Sequence, residues 1–258
     1  MIRYPLYIFD LDGTLYRGDE AIPNAVDTVK ALEASGSQIR YLTNNSGHTR
    51  EFFRDKLRRM GFPAEAEEVE SSARGTAKYL LANGLKTIFV IGEPGLVETL
   101  RLFGLSVVNA DGEGVVSPDG LDSEAVVVGI CRQFTYELMR SAMERIRTGQ
   151  LFVATNADST YPMEGGRLIP GAGSIIAGIR TCSETEPFVV GKPNPYLVSL
   201  IVQEAGLSPA EVLVVGDRAD TDLASGEAAG CPTHLVLSGV TQTPSEGQSF
   251  SADLSGLL

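Results

Sequence analysis

Basic residues are in the minority in this chain: 21 Lys and Arg stand against 33 Asp and Glu, a formal charge of −12. General nucleic-acid binding needs a basic surface that displaces counterions from phosphates, so no nucleic-acid partner is expected. A small phosphorylated ligand stays open, because one lysine or metal ion can reverse the field inside a single pocket. Cysteine is scarce as well. Cys131, Cys182 and Cys231 are odd in number, far apart and without a CxxC pair. This argues against a disulfide framework or a zinc site and for free thiols in a reducing compartment. Also missing are an apolar run approaching 18 residues and a basic N-terminal segment leading into an apolar one. The expectation is a cytoplasmic, soluble protein with no membrane partner.

What is present is ordinary for a globular chain. Its 258 residues, 43% hydrophobic and 21% charged, suffice for one large or two modest domains. The stretch around which the rest is organised is Leu6-Tyr-Ile-Phe-Asp10-Leu-Asp12-Gly13-Thr14. A short apolar run ending at glycine predicts a central parallel strand. Acids at its carboxyl end lie where open α/β sheets place their ligands. Side chains two apart share a strand face, and two such carboxylates repel unless a cation or shared proton compensates. Taken alone, an Asp-x-Asp pair also reads as a solvated loop.

The rest of the chain repeats that grammar. Helical spacing over 25–34, a strand over 39–42 ending in Thr43-Asn44-Asn45-Ser46, and an amphipathic helix over 50–60 predict parallel pairing with right-handed crossovers. A separate alternation follows: helices at 76–83, 95–103 and 135–147, strands at 86–92, 105–108, 125–129 and 151–154. The Gly-, Asp- and Pro-rich 111–122 reads as a loop or hairpin. The opening style then returns, with a strand at 187–190 before Gly191-Lys192-Pro193. After a helix at 196–205 comes a strand at 211–215 ending in Gly216-Asp217, and then a last strand at 233–237. The final dozen residues, rich in Ser and Gly, read as loose. The expected fold is α/β: a Rossmann-like parallel-sheet core from both chain ends (1–75 and 181–258) with a large α/β cap domain inserted at 76–180.

Strand ends of the outer segments deliver Asp10 with Asp12, Thr43, Lys192, and Asp217 with Asp222, which parallel strands bring to one end of a sheet. Carboxylates and water form an oxygen shell suited to Mg²⁺, a hard cation that also binds phosphate. A hydroxyl and a lysine supply donors for the oxygens of a transferring phosphoryl group. One carboxylate can attack phosphorus while the second protonates the leaving group and later activates water.

Asp10-x-Asp12-Gly-Thr, Thr43-Asn-Asn-Ser, Gly191-Lys192-Pro193 and Gly216-Asp217-x4-Asp222 resemble the four motifs of the haloacid dehalogenase superfamily. The insert between the second and third motifs resembles its subfamily IIA, the NagD-like and p-nitrophenyl-phosphatase-like enzymes. Val153-Ala-Thr-Asn156-x-Asp158, Pro170-Gly-Ala-Gly173 and Leu237-Ser-Gly-Val240 fit it too. The resemblance implies a Mg²⁺-dependent phosphatase that hydrolyses small-molecule phosphomonoesters through an aspartyl-phosphate. The substrate would be of the p-nitrophenyl phosphate, phosphoglycolate, sugar phosphate or nucleotide type. By position, Asp10 would be the nucleophile, Asp12 the general acid/base, and Thr43 and Lys192 the phosphoryl-holding groups. Asp10, the Asp12 carbonyl and Asp217 would bind the metal, with Asp222 orienting or reaching it through water.

Each reading has a plainer rival. Asp222 can cap a helix, and Asp220 can face solvent at a helix start. Asn44 and Asn45 can be turn formers, and Asn156 and Asp158 can close a turn; through the resemblance all four become substrate contacts. Tyr161 and Met163 lie in the segment matching the subfamily's specificity loop, as a stacking surface and an apolar wall for the leaving group. His48 and His234 read as a surface and a packing histidine. Cys131 stands where relatives carry aspartate, so any role of that acid is in doubt here. The resemblance also admits a homodimer through the cap. A phosphoryl transferase or mutase and a non-catalytic phospho-ligand sensor are the alternatives to hydrolysis.

Overall fold

The computed structural model describes residues 4–162 and 167–258. The chain forms two compact units. The first takes Met1–Thr43, Arg50–Glu70 and Lys192–Leu258; the second takes Asn44–Thr49 and Ser71–Gly191. The segment 76–180 lies wholly inside the second.

The first unit is built on a six-stranded sheet in the order Phe250–Ser251, Thr233–Val236, Val212–Gly216, Leu6–Asp10, Gln38–Thr43, Val69–Ser71. Its central strand pairs in parallel with both neighbours, Phe9 facing Val215 on one side and Tyr41 on the other. Leu6, Tyr7, Ile8 and Phe9 are all buried. That explains why the strand is apolar on both faces instead of alternating: helices and loops cover both sides of a central parallel strand. The helix Ala25–Ala34 makes the crossover to Gln38–Thr43, burying Val29 and Leu32 in a core with Phe9, Leu15, Tyr41, Phe53 and Leu57.

The second unit holds a five-stranded parallel sheet in the order Phe188–Val189, Leu151–Ala154, Ala125–Val128, Thr87–Ile91, Ser106–Val107. The helices Tyr136–Arg147 and Ala172–Ser183 place Leu138, Ala142, Ile146, Ile176 and Ile179 in the core with Phe89, Val126 and Phe152. Among the described residues no helix is long and apolar enough to cross a membrane.

Three local expectations are corrected. Phe188–Val189 was expected in the sheet made by the chain ends; it pairs instead with Leu151–Ala154, with Phe188 stacked on Tyr79 at 4.1 Å. Residues 16–24, a looser segment to which the sequence reading assigns no element, contain a hairpin of Tyr16–Arg17 and Glu20–Ala21. The chain end, expected loose, is docked. Phe250–Ser251 extends the sheet, and the turn Leu254–Leu257 buries both its leucines, with Asp253 accepting from the Ser255 N–H.

Candidate active site

In the first unit the acidic groups stand at strand ends because the strands are parallel and in register. Asp10 lies level with Leu42, so Thr43 follows one residue beyond, and Asp217 follows Gly216 at the end of the neighbouring strand. Thr43 is buried. Lys192 reaches into this group from the start of the third segment. Its ammonium donates to Asp10 Oδ1 at 2.5 Å and to Asp222 Oδ1 at 2.6 Å. The side chains of Lys192 and Asp222 are each 3% exposed and that of Asp10 13%, so all three charges are held nearly out of water. Such a cluster holds together only if its charges and hydrogen bonds are mutually satisfied.

Asp222 is no helix cap. It lies within a π-helical turn, Ala219–Leu223, and its second oxygen accepts from the Arg218 N–H at 3.1 Å. Gly216 makes room for it, since a Cβ there would collide with the Asp222 side chain. Asp220 is exposed and paired with Arg218, as a solvent-facing residue should be.

Burial raises the Asp10 carboxyl well above the usual carboxylate range; Asp222 repulsion adds to this and Lys192 opposes it. Asp12 is raised by burial too, with Lys56 and Lys192 pulling the other way. A carboxyl biased toward its protonated form suits a proton donor at neutral pH. Asp217 is raised to about 6, by burial and by Asp222, against the Val240 N–H and Lys192. For Lys192, burial works against the charge, but Asp10 and Asp222 outweigh it and the amine stays protonated.

One carboxylate oxygen from each of Asp10, Asp217 and Asp222 lies within 4.8 Å of the others. The set is all hard oxygen, as Mg²⁺ requires, with no soft ligand to favour zinc or copper. Asp222, assigned an indirect part from sequence, thus stands beside Asp10 and Asp217.

The other sequence-selected residues lie in the second unit, tied to one another. Asn44 Nδ2 donates to both oxygens of Asp158, at 3.3 and 3.1 Å, and Asn45 Nδ2 donates to the Tyr161 hydroxyl at 3.0 Å. Asn156 Nδ2 donates to the Asn44 carbonyl at 2.8 Å, and its own Oδ1 accepts from the Asp158 N–H at 3.1 Å. These bonds unite the loop after Thr43 with the loop after Leu151–Ala154. Met163 lies outside the described residues. Cys131 is a buried packing residue of this unit's core, and burial pushes its thiol up to about 11, far from a reactive thiolate. His234 is buried between the hydroxyls of Ser249 and Ser251, at 2.7 and 2.8 Å.

Two contributors escaped sequence reasoning. The Thr14 hydroxyl lies 3.3 Å from Asp10 Oδ2 and 3.4 Å from Asp217 Oδ1, on the threonine that closes the first motif. The Val240 N–H donates to Asp217 Oδ2 at 2.6 Å, and the Leu237-Ser-Gly-Val240 stretch was its only signal.

Comparison with known proteins gives the family. Residues 7–106 match the family model for haloacid dehalogenase-like hydrolases, and 189–254 match a second model of HAD-like hydrolases. The chain is 36% identical over 253 residues to glycerol-3-phosphate phosphatase from Homo sapiens, covering 91% of this chain and 79% of that protein. A solved structure described as a putative nagD protein superposes with TM-score 0.89 at 30% identity, covering 100% of this chain and 98% of the other. Glycerol phosphate phosphatase from Mycobacterium tuberculosis, solved in complex with magnesium, gives TM-score 0.84 at 31% identity, covering 98% and 77%. With its four motifs, parallel-sheet fold and phosphatase relatives, the chain belongs to the haloacid dehalogenase superfamily, as a phosphomonoester hydrolase of the NagD-like subfamily IIA.

Proposed function

We propose that the reaction is Mg²⁺-dependent hydrolysis of a small phosphomonoester through a phosphoryl group carried on Asp10. The observation that carries this reading is Lys192 held between Asp10 and Asp222 with Asp217 alongside, a buried arrangement of one cation and three carboxylates. Asp10, Asp217 and the Asp12 carbonyl would hold the metal, with Asp222 beside them. When bound, Mg²⁺ offsets the negative charge that otherwise keeps an anionic phosphate away.

Asp10 attacks phosphorus with one carboxylate oxygen, and the bond from phosphorus to the leaving oxygen breaks. Asp12 gives that oxygen its proton, then takes one from the water that cleaves the acyl phosphate, restoring both carboxyls. Lys192 and the Thr43 hydroxyl hold the phosphoryl oxygens, and Lys192 opposes the upward shift that burial and Asp222 impose on Asp10, favouring its carboxylate form. Choice of leaving group is assigned to the inserted unit, acting as a cap, through Asn44, Asn45, Asn156, Asp158, Tyr161 and Met163. The glycerol phosphate relatives support a small polar alcohol as leaving group. A cytoplasmic setting and a homodimer complete the reading.

The test is release of inorganic phosphate from p-nitrophenyl phosphate and a panel of glycerol phosphate, phosphoglycolate, sugar phosphates and nucleotides, with Mg²⁺ or with chelator. Turnover is expected with Mg²⁺ only. Phosphate passed to an acceptor instead of water would favour a transferase, and tight binding without turnover a sensor.

A further inference from the structure

The segment after the Thr233–Val236 strand fastens itself to the acidic strand ends. The Ser238 hydroxyl donates to the Gly13 carbonyl at 2.9 Å, and the Arg17 guanidinium donates to the Ser238 carbonyl. The Val240 N–H takes Asp217 Oδ2 at 2.6 Å, while the Thr241 N–H donates to the Asp217 carbonyl at 3.0 Å. The Thr241 hydroxyl accepts from the Ala219 N–H at 3.1 Å, so the same segment also holds the turn beyond Asp217. One short stretch therefore grips the carboxylate, the backbone and the following residues of Asp217.

This grip needs space that only glycine leaves. A Cβ on Gly239 would run into Asp217 Cβ, Cγ and Oδ2, and one on Gly13 would meet the same carboxylate from the other loop. Gly13 has a second reason to be glycine, a φ of +91°. Gly239 is outside the left-handed region, so its backbone would accept any residue. Its smallness serves the close approach to Asp217, which supplies the three nearest atoms to such a Cβ.

We infer that Ser238–Thr241 is a positioning clamp, with Gly239 as its key, that holds the Asp217 carboxylate in place for the metal. The inference rests on Asp217 being a metal carboxylate, as proposed above. Fixing a ligand before the cation arrives lowers the cost of binding, and loss of such outer support typically weakens metal affinity about 10- to 100-fold.

Magnesium titration calorimetry on the full chain tests it, using wild type, Gly239→Ala, Ser238→Ala, Ser238→Thr and Asp217→Asn. Gly239→Ala is expected to weaken Mg²⁺ binding by about tenfold or more, with a thermal transition in chelator that stays cooperative although crowding at Asp217 lowers its midpoint. Ser238→Ala is expected to lose several-fold, restored in Ser238→Thr, which keeps the inference testable should Gly239→Ala not fold. Unchanged Mg²⁺ affinity in both Gly239→Ala and Ser238→Ala, with binding lost in Asp217→Asn, would overturn the clamp alone. Unchanged affinity in Asp217→Asn would overturn the metal assignment and the clamp with it.

Discussion

Between Asp10 and Asp222 the Lys192 ammonium donates to both carboxylates at 2.5 and 2.6 Å, and its side chain is 3% exposed. Removing it leaves two buried carboxylates facing each other. Breaking a buried pair from one side costs about 3–5 kcal/mol, so Lys192→Ala should lower unfolding stability by that order and abolish turnover. Chemical denaturation in chelator measures the first effect, and phosphate release the second. His234 gives a separate residue-scale test, away from the acids. Ser251 Oγ donates to the Asp253 carbonyl at 2.6 Å, so it must accept from His234 Nε2–H, which leaves Nδ1 to accept from Ser249. Burial lowers the pKa of this neutral imidazole below its ordinary value. The unfolded chain then binds the extra proton first as pH falls. Stability should be full above about pH 6.5 and decline below it. His234→Asn should flatten the decline in denaturation curves taken from pH 7 to 5, and an equal slope in both proteins would contradict the assignment.

At the scale of elements, the local features were legible and the pairings were not. The apolar run 6–9 with acids behind it signals a buried strand without any tertiary information, and the same holds for Val212–Gly216 with Asp217. Phe188–Val189 and Phe250–Ser251 are two residues each, too short for any periodicity, and their sheets are chosen by distant partners. Asn44, Asn45, Asn156 and Asp158 were legible as polar loop residues. That they bond to one another depends on two loops about a hundred residues apart meeting. Gly239 carried no readable reason at all, because its neighbour Asp217 is a contact across the fold. The docked chain end makes its own prediction. Leu254 is fully buried in the first unit's core, and Leu254→Ala should cost about 3 kcal/mol in unfolding free energy. A loose tail would make that substitution silent.

For the molecule as a whole, a chain of net charge −12 gathers two buried carboxylates and a third, half-buried one near one lysine and takes phosphate esters, themselves anions, as substrates. The field at Asp10 must therefore be reversed locally, by Lys192 and by the proposed Mg²⁺, while the surface stays acidic. The family and its hydrolytic activity follow from motifs in order along nearly the entire length. The covalent step on Asp10 is the central claim. Its most direct measurement is to acid-quench the enzyme during turnover of p-nitrophenyl phosphate with Mg²⁺, reduce with borohydride, and map the chain by mass spectrometry. An acyl phosphate on Asp10 would be reduced to homoserine at position 10, and the account predicts that product in wild type and its absence in Asp10→Asn. Continued phosphate release with position 10 unmodified, or with the mark on Asp12, would contradict it.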